Sequence, residues 1–193
     1  EKPDFYKNLS AFDNLKILYK MSRLKNINKI KDVLNEVDLW DKRNQKVGGF
    51  SQGMKQRLGI AQTLIHDPSL IILDEPSNGL DPQGQADMRS LILKINKEMG
   101  ITVIISSHIL SEIEKISNRM VVINNGQKIV EGNVEELMQN ELLKVSFKSR
   151  KEISTLLRPK TRRKLIGHID TSWTRRNELS KLQKIKNKSK RGN

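Results

Sequence analysis

Asp74 and Glu75 stand side by side after a short apolar run, Leu-Ile-Ile-Leu (70–73), in a chain of 193 residues. Carboxylates at the carboxyl end of an interior strand lie where open α/β sheets bind ligands. Successive strand residues point to opposite sides, so the two can divide labour. One can hold a hydrated Mg²⁺, a hard cation that keeps several of its waters. The other can orient or deprotonate an attacking water. The plainer reading is an acidic pair in the loop after a core strand. A second apolar run, Ile101–Ile105, leads into Ser106, Ser107 and His108. His108 can hydrogen-bond a terminal phosphate, or it can be a satisfied group at a strand end. The coincidence argues for function: two consecutive core strands end in chemically able residues on one edge.

Upstream, Phe-Ser-Gln-Gly-Met-Lys-Gln-Arg (50–57) puts Ser51, Gln52 and Gly53 at a helix start. A hydroxyl and free backbone N–H groups there favour anions, because a helix N-terminus carries partial positive charge. Plain N-capping by Ser51 accounts for the same residues. Downstream, Asn78, Gly79 and Asp81 have the composition of a turn into the next helix.

The elements that must carry these residues alternate between helix and strand. Ser10 and Asp13 read as a capping-box-like start, followed by Leu15, Leu18, Tyr19 and Leu24 roughly on one face. A second amphipathic helix covers about 27–38, with Ile30, Val33, Leu34 and Val37 as its stripe. The two form a helical subdomain over about 7–49. A helical pattern from Lys55 to about His66 stops at Asp67-Pro68. The run 70–73 reads as a strand buried on both faces. Helix 83–99 ends at Gly100, a natural left-handed cap. After the strand 101–105 come a helix over 109–117, a hairpin turning at Asn125-Gly126, and a short helix over 133–139. This order predicts an α/β fold with a parallel sheet core.

Charge and composition narrow the classes. Hydrophobic residues make up 36% of the chain and aromatics 4%, so the core is mostly Ile, Leu and Val. With no cysteine, disulfides and thiolate metal sites are excluded. No apolar run approaches the roughly 18–20 residues that span a bilayer. The net charge of +14 is localised: residues 1–143 hold 19 Lys+Arg against 19 Asp+Glu, and residues 144–193 hold 17 against 3. The body is neutral and the tail carries the whole excess.

Taken together, the motifs resemble the nucleotide-binding subunit of ATP-binding cassette (ABC) transporters. FSQGMKQR (50–57) is similar to the family signature L-S-G-G-Q-x-Q-R, with Phe50, Gln52 and Met54 as departures. IILDEP (71–76) resembles the Walker B strand, SNGLD (77–81) the D-loop, and SSH (106–108) the switch histidine. The flavour GMKQRLGIA resembles bacitracin and lantibiotic exporters or self-immunity proteins. The resemblance covers about residues 1–140, with Glu1 where the Q-loop glutamine would stand.

The resemblance implies a P-loop NTPase-like, mostly parallel sheet with an inserted helical subdomain. It implies ATP and Mg²⁺ as cofactors, with Glu75 and His108 catalytic and Asp74 serving the metal. Glu1, Ser51, Gln52, Gly53 and Asp81 would serve the nucleotide. It further implies a second nucleotide-binding subunit, transmembrane permease subunits, and a cytoplasmic place at the inner face of the cell membrane. A lysine-bearing phosphate loop, G-x-x-x-x-G-K-[ST], occurs nowhere in the chain. In the family that loop and the first strands precede the Q-loop, so residues 1–143 read as a partial ATP-binding domain, truncated before it.

Residues 144–193 read as a basic tail without strand-and-helix pattern. A solvated tail, a frame-shifted non-native stretch, and a segment that meets nucleic acid or membrane are the three readings. The rival functions are accordingly a basic-tailed nucleic-acid-binding module and an inactive remnant of an ABC ATPase.

Overall fold

The computed structural model describes residues 4–22, 24–124, 126–139 and 164–169. They fall into two compact units. The first is Glu1–Ile71 with Glu75–Ile101, and the second is Ile72–Asp74 with Thr102–Asn193. Among the described residues no helix is long and apolar enough to cross a membrane.

The first unit is helical. Its first helix, α1 (Ala11–Met21), begins where expected, because the Ser10 hydroxyl accepts from the Asp13 N–H at 3.0 Å and donates to the Asp13 carboxylate at 2.6 Å. Buried Asn14 ties the preceding segment down: its Nδ2 donates to the carbonyls of Ser10 (2.9 Å) and Tyr6 (3.1 Å), and its Oδ1 accepts from the Tyr6 N–H. Helix α2 (Asn28–Glu36) buries the predicted stripe of Ile30, Val33 and Leu34, and Val37 at its C-cap is buried too. Helix α3 (Gln52–Leu64) packs against both. It starts three residues before Lys55, because Ser51 caps it. Asp67 then takes a left-handed turn at φ 49° ahead of Pro68. Helix α4 (Pro82–Met99) has Asp81 as N-cap, Pro82 at its start and left-handed Gly100 (φ 66°) at its end. Leu15, Leu34, Leu58, Leu64, Ile92 and Ile95 are fully buried in this unit. Each such side chain contributes about 1.5–3 kcal/mol by leaving water.

Strand β1 (Leu70–Asp74) passes from the first unit into the second. The expectation that it is buried on both faces is corrected. Ile71 and Leu73 are buried, whereas Leu70 and Ile72 are 46% and 69% exposed. The apolar run equips both faces for burial, and only one is covered.

The second unit is built on a sheet. Strand β2 (Thr102–Ser107) leads through helix α5 (Leu110–Ile116) to strand β3 (Arg119–Asn124). A hairpin through left-handed Gly126 (φ 77°) joins β3 to β4 (Gln127–Asn133), with a bulge between Val122 and Ile123. Helix α6 (Val134–Gln139) follows, and its Val134 N–H donates to the Asn118 carbonyl at 3.0 Å. A further strand, β5 (Lys164–Ile169), completes a sheet of order β1-β2-β5-β3-β4. β5 is antiparallel to both β2 and β3, which therefore run in the same direction as each other.

The α/β class agrees with the sequence. The basic tail is corrected at one place, because Lys164–Ile169 is an internal strand of the sheet. Glycine makes this possible. A Cβ at Gly167 would lie 2.9 Å from Ser117 Cβ and 3.1 Å from Ile113 Cδ1, with Ser117 Oγ nearer still. The other expectations for the tail, and Glu1, lie outside the described residues.

Candidate functional site

In the second unit, two neighbouring strands deliver Asp74 and the Ser106–His108 stretch. β1 ends at Asp74 and β2 ends at Ser107. The Ser106 hydroxyl donates to Asp74 Oδ1, linking residues 32 apart in sequence. Ser107, only 1% exposed, donates to Glu112 Oε2 at 3.1 Å and accepts from the Ile109 N–H at 3.0 Å. That second bond fixes the chain direction just after exposed His108. Glu112 is buried in the first turn of α5, and its Oε1 has no hydrogen-bond partner among the described residues.

In the first unit, Glu75 is buried with a left-handed backbone, φ 50°. L-residues adopt this region rarely, at a cost of about 1–2 kcal/mol. The chain reverses there: the Glu75 carbonyl accepts from the Asn78 N–H at 3.0 Å, and the Ser77 carbonyl from the Leu80 N–H at 3.3 Å. The strand thus stops between the two carboxylates, with Asp74 in the last extended position and Glu75 in the turn.

The same unit joins the turn to the start of α3. Gln56 Nε2 donates to the Asn78 carbonyl at 3.1 Å, and the space beside Gly53 is bounded by Leu80 Cδ2, 3.7 Å from where a Cβ would stand. Ser51 Oγ accepts from the Met54 N–H at 3.2 Å, so its hydroxyl already caps α3. Gln52 is the first residue of the helix. Asp81 Oδ1 accepts from the Gly84 N–H at 2.9 Å and caps α4. Arg57 donates to the Val37 carbonyl (3.2 Å) and the Asp38 carboxylate (2.9 Å), which satisfies the end of α2.

Two roles escaped the sequence reading. Ser106 had a visible signal, a hydroxyl residue ending an apolar strand beside one that ends in Asp. Glu112 had only its place in a helix first turn. Among the described residues no group of three or more His, Cys, Asp or Glu side chains is placed to hold a metal ion. Mg²⁺ asks for less: one or two carboxylates, with water and phosphate oxygens completing the shell. Asp74, with the Ser106 hydroxyl on one of its oxygens, is a donor set of that kind.

A family model described as "ABC transporter" matches residues 1–78. Over 131 residues the chain is 50% identical to the bacitracin transport ATP-binding protein BcrA of Bacillus licheniformis, an alignment covering 68% of this chain and 43% of that one. The chain belongs to the ABC transporter ATP-binding family. Another member, the lantibiotic transport ATP-binding protein SrtF of Streptococcus pyogenes, is 46% identical over 149 residues, 74% of this chain and 64% of its own. Among solved structures, cbiO1 of Clostridium perfringens, part of the ABC transporter complex cbiONQ, superposes with a TM-score of 0.64 at 25% identity. That superposition covers 79% of this chain and 61% of cbiO1. The chain thus spans 43–64% of the length of these ABC proteins.

Proposed function

We propose that this chain supplies the signature, Walker B, D-loop and switch-histidine parts of an ATP-hydrolysing subunit that drives export, with peptide antibiotics of the bacitracin and lantibiotic kind as the transported class. What supports this most directly is the Asp74 carboxylate at the end of β1, held by the Ser106 hydroxyl of the neighbouring strand, with Glu75 next in the chain.

Asp74 would hold the metal through its carboxylate, with Ser106 fixing the oxygen it does not offer. Glu75 would orient the attacking water and take its proton. Its buried surroundings keep that carboxylate from bulk solvent. His108 would donate to the terminal phosphate. Ser51, Gln52 and Gly53 would meet the nucleotide held by a second nucleotide-binding subunit, and Asp81 would lie at that junction. Glu1 would take the place of the Q-loop glutamine. Bound Mg²⁺ neutralises phosphate charge during transfer to water. The partners are a second nucleotide-binding subunit, which brings a phosphate loop, and membrane permease subunits, at the cytoplasmic face.

A chimera tests the proposal. This chain replaces the matching 131 residues of the Bacillus licheniformis relative, and Mg²⁺-dependent ATP hydrolysis is measured. Hydrolysis should appear, and Glu75→Gln should abolish turnover while nucleotide binding persists. Turnover equal to that of the unsubstituted chimera would remove Glu75 from the mechanism.

A further inference from the structure

Consecutive side chains of a strand point to opposite faces, so Ser106 and Ser107, the last two residues of β2, reach in opposite directions. Each hydroxyl donates to a carboxylate. Ser106 holds Asp74 at the end of β1, and Ser107 holds Glu112 Oε2 at 3.1 Å. The first bond belongs to the candidate metal site. The second leads to a group that no step of the proposed reaction uses.

Glu112 is buried in the first turn of α5. One of its oxygens has Ser107 as partner, and the other has none among the described residues. Burying a carboxylate with an unanswered oxygen is costly, and closing a turn does not require it. Its effect lies in the Ser107 hydroxyl. A hydroxyl can donate or accept, whereas a carboxylate only accepts. Glu112 therefore turns the Ser107 proton toward itself and leaves a lone pair for the Ile109 N–H, which donates to Ser107 Oγ at 3.0 Å. Ile109 is the N-cap of α5 and brings no side-chain cap of its own. From the other side, the Glu112 N–H donates to the Ile109 carbonyl at 3.1 Å. Both chain neighbours of His108 are thus held, while His108 itself is exposed.

We infer that Glu112 is a positioning residue: through the Ser107 hydroxyl it sets the backbone from which His108 is presented to a terminal phosphate. The inference rests on the ATPase reading of His108. Glu112 acts only through Ser107, so its removal should misplace His108 without removing it.

Two arms keep the positioning apart from that reading. In the full-length chain without nucleotide, Glu112→Met keeps the side-chain length but not the acceptor. The Ile109 amide should then exchange roughly tenfold or more faster than in the wild type. Glu112→Gln retains an oxygen for Ser107, and its Ile109 amide should stay slow. In the chimera with the Bacillus licheniformis relative, Glu112→Met should lower kcat for ATP roughly tenfold or more. ADP, which lacks the terminal phosphate, should bind as before, and Glu112→Gln should restore most of the turnover. Ser107→Ala removes the relay itself and should reproduce both effects of Glu112→Met. Unchanged Ile109 exchange in Glu112→Met overturns the hold on the backbone. Unchanged kcat, or ADP binding lost in step with kcat, overturns the positioning role. A chimera that hydrolyses no ATP before any substitution overturns the ATPase reading instead, and Ile109 exchange still decides whether Glu112 sets the backbone at His108.

Discussion

The Ser106 hydroxyl donates to the Asp74 carboxylate from the neighbouring strand of the sheet. A hydrogen bond to a charged acceptor contributes about 1.5–3 kcal/mol. Ser106→Ala should therefore lower unfolding free energy by an amount in that range, read from urea denaturation. The double variant with Asp74→Asn should cost less than the sum of the singles, since each removes the same bond. In the chimera, Asp74→Asn should weaken the Mg²⁺ dependence of nucleotide binding, and Ser106→Ala should raise the Mg²⁺ concentration needed for half-maximal binding.

Glu75 should reverse the ordinary preference of alanine over glycine. Both Glu75→Ala and Glu75→Gly remove the carboxylate, so their difference isolates the backbone. At φ 50° the glycine variant should be more stable by about 1 kcal/mol. Equal denaturation midpoints would mean that the turn relaxes without cost.

Ser51 and Asp81 cap helices, and each loss to alanine should cost about 1 kcal/mol. Ser51→Asp separates structure from function. The new carboxylate still accepts from the Met54 N–H, so stability should hold. A negative charge facing a partner's nucleotide should nevertheless raise the KM for ATP in the chimera. An unchanged KM would confine Ser51 to capping.

Glu131 gives a pH test. The hydrogen bond and charge of Lys128, and then the charge of Arg119, hold its carboxyl below the ordinary 4.5. The pairs measure 3.1 and 3.2 Å. A depressed folded-state pKa means that the ionised form favours the fold. Its contribution is present above pH 4.5 and is lost as the pH falls through the lower folded value. The stability gap between the wild type and Glu131→Gln should therefore be present at pH 7 and close below pH 4.5. The group is exposed, so 1 M salt should shrink the gap at every pH.

Local rules carried much of the fold. Ser10, Ser51 and Asp81 before helices, Gly100 after one, and Gly126 in the hairpin are all residues whose own chemistry sets the backbone, so their roles are legible without tertiary context. The stripe Ile30, Val33, Leu34 and Val37 is buried because helical period alone places it on one face. The site was legible as a list, Asp74, Glu75 and His108, through the strands that precede them. Its internal links were not. The Ser106–Asp74 and Gln56–Asn78 bonds join positions that no local pattern relates. β5 was hidden for a similar reason. Lys-Leu-Ile-Gly-His-Ile is short and contains glycine, which disfavours strands in isolation. Only the surface of α5, at Ser117 and Ile113, explains why glycine is wanted there.

Synthesis runs from the N- to the C-terminus, so the four other described strands leave the ribosome before the one that stands third in the sheet. Between the emergence of Asn124 and that of Ile169, translation at about 5–20 residues per second leaves an interval of a few seconds. Throughout it, β2 and β3 carry unladdered edges on nascent polypeptide, a state that invites pairing with neighbouring chains. The yield of correctly closed sheet in a cell should therefore follow the elongation rate over that last stretch.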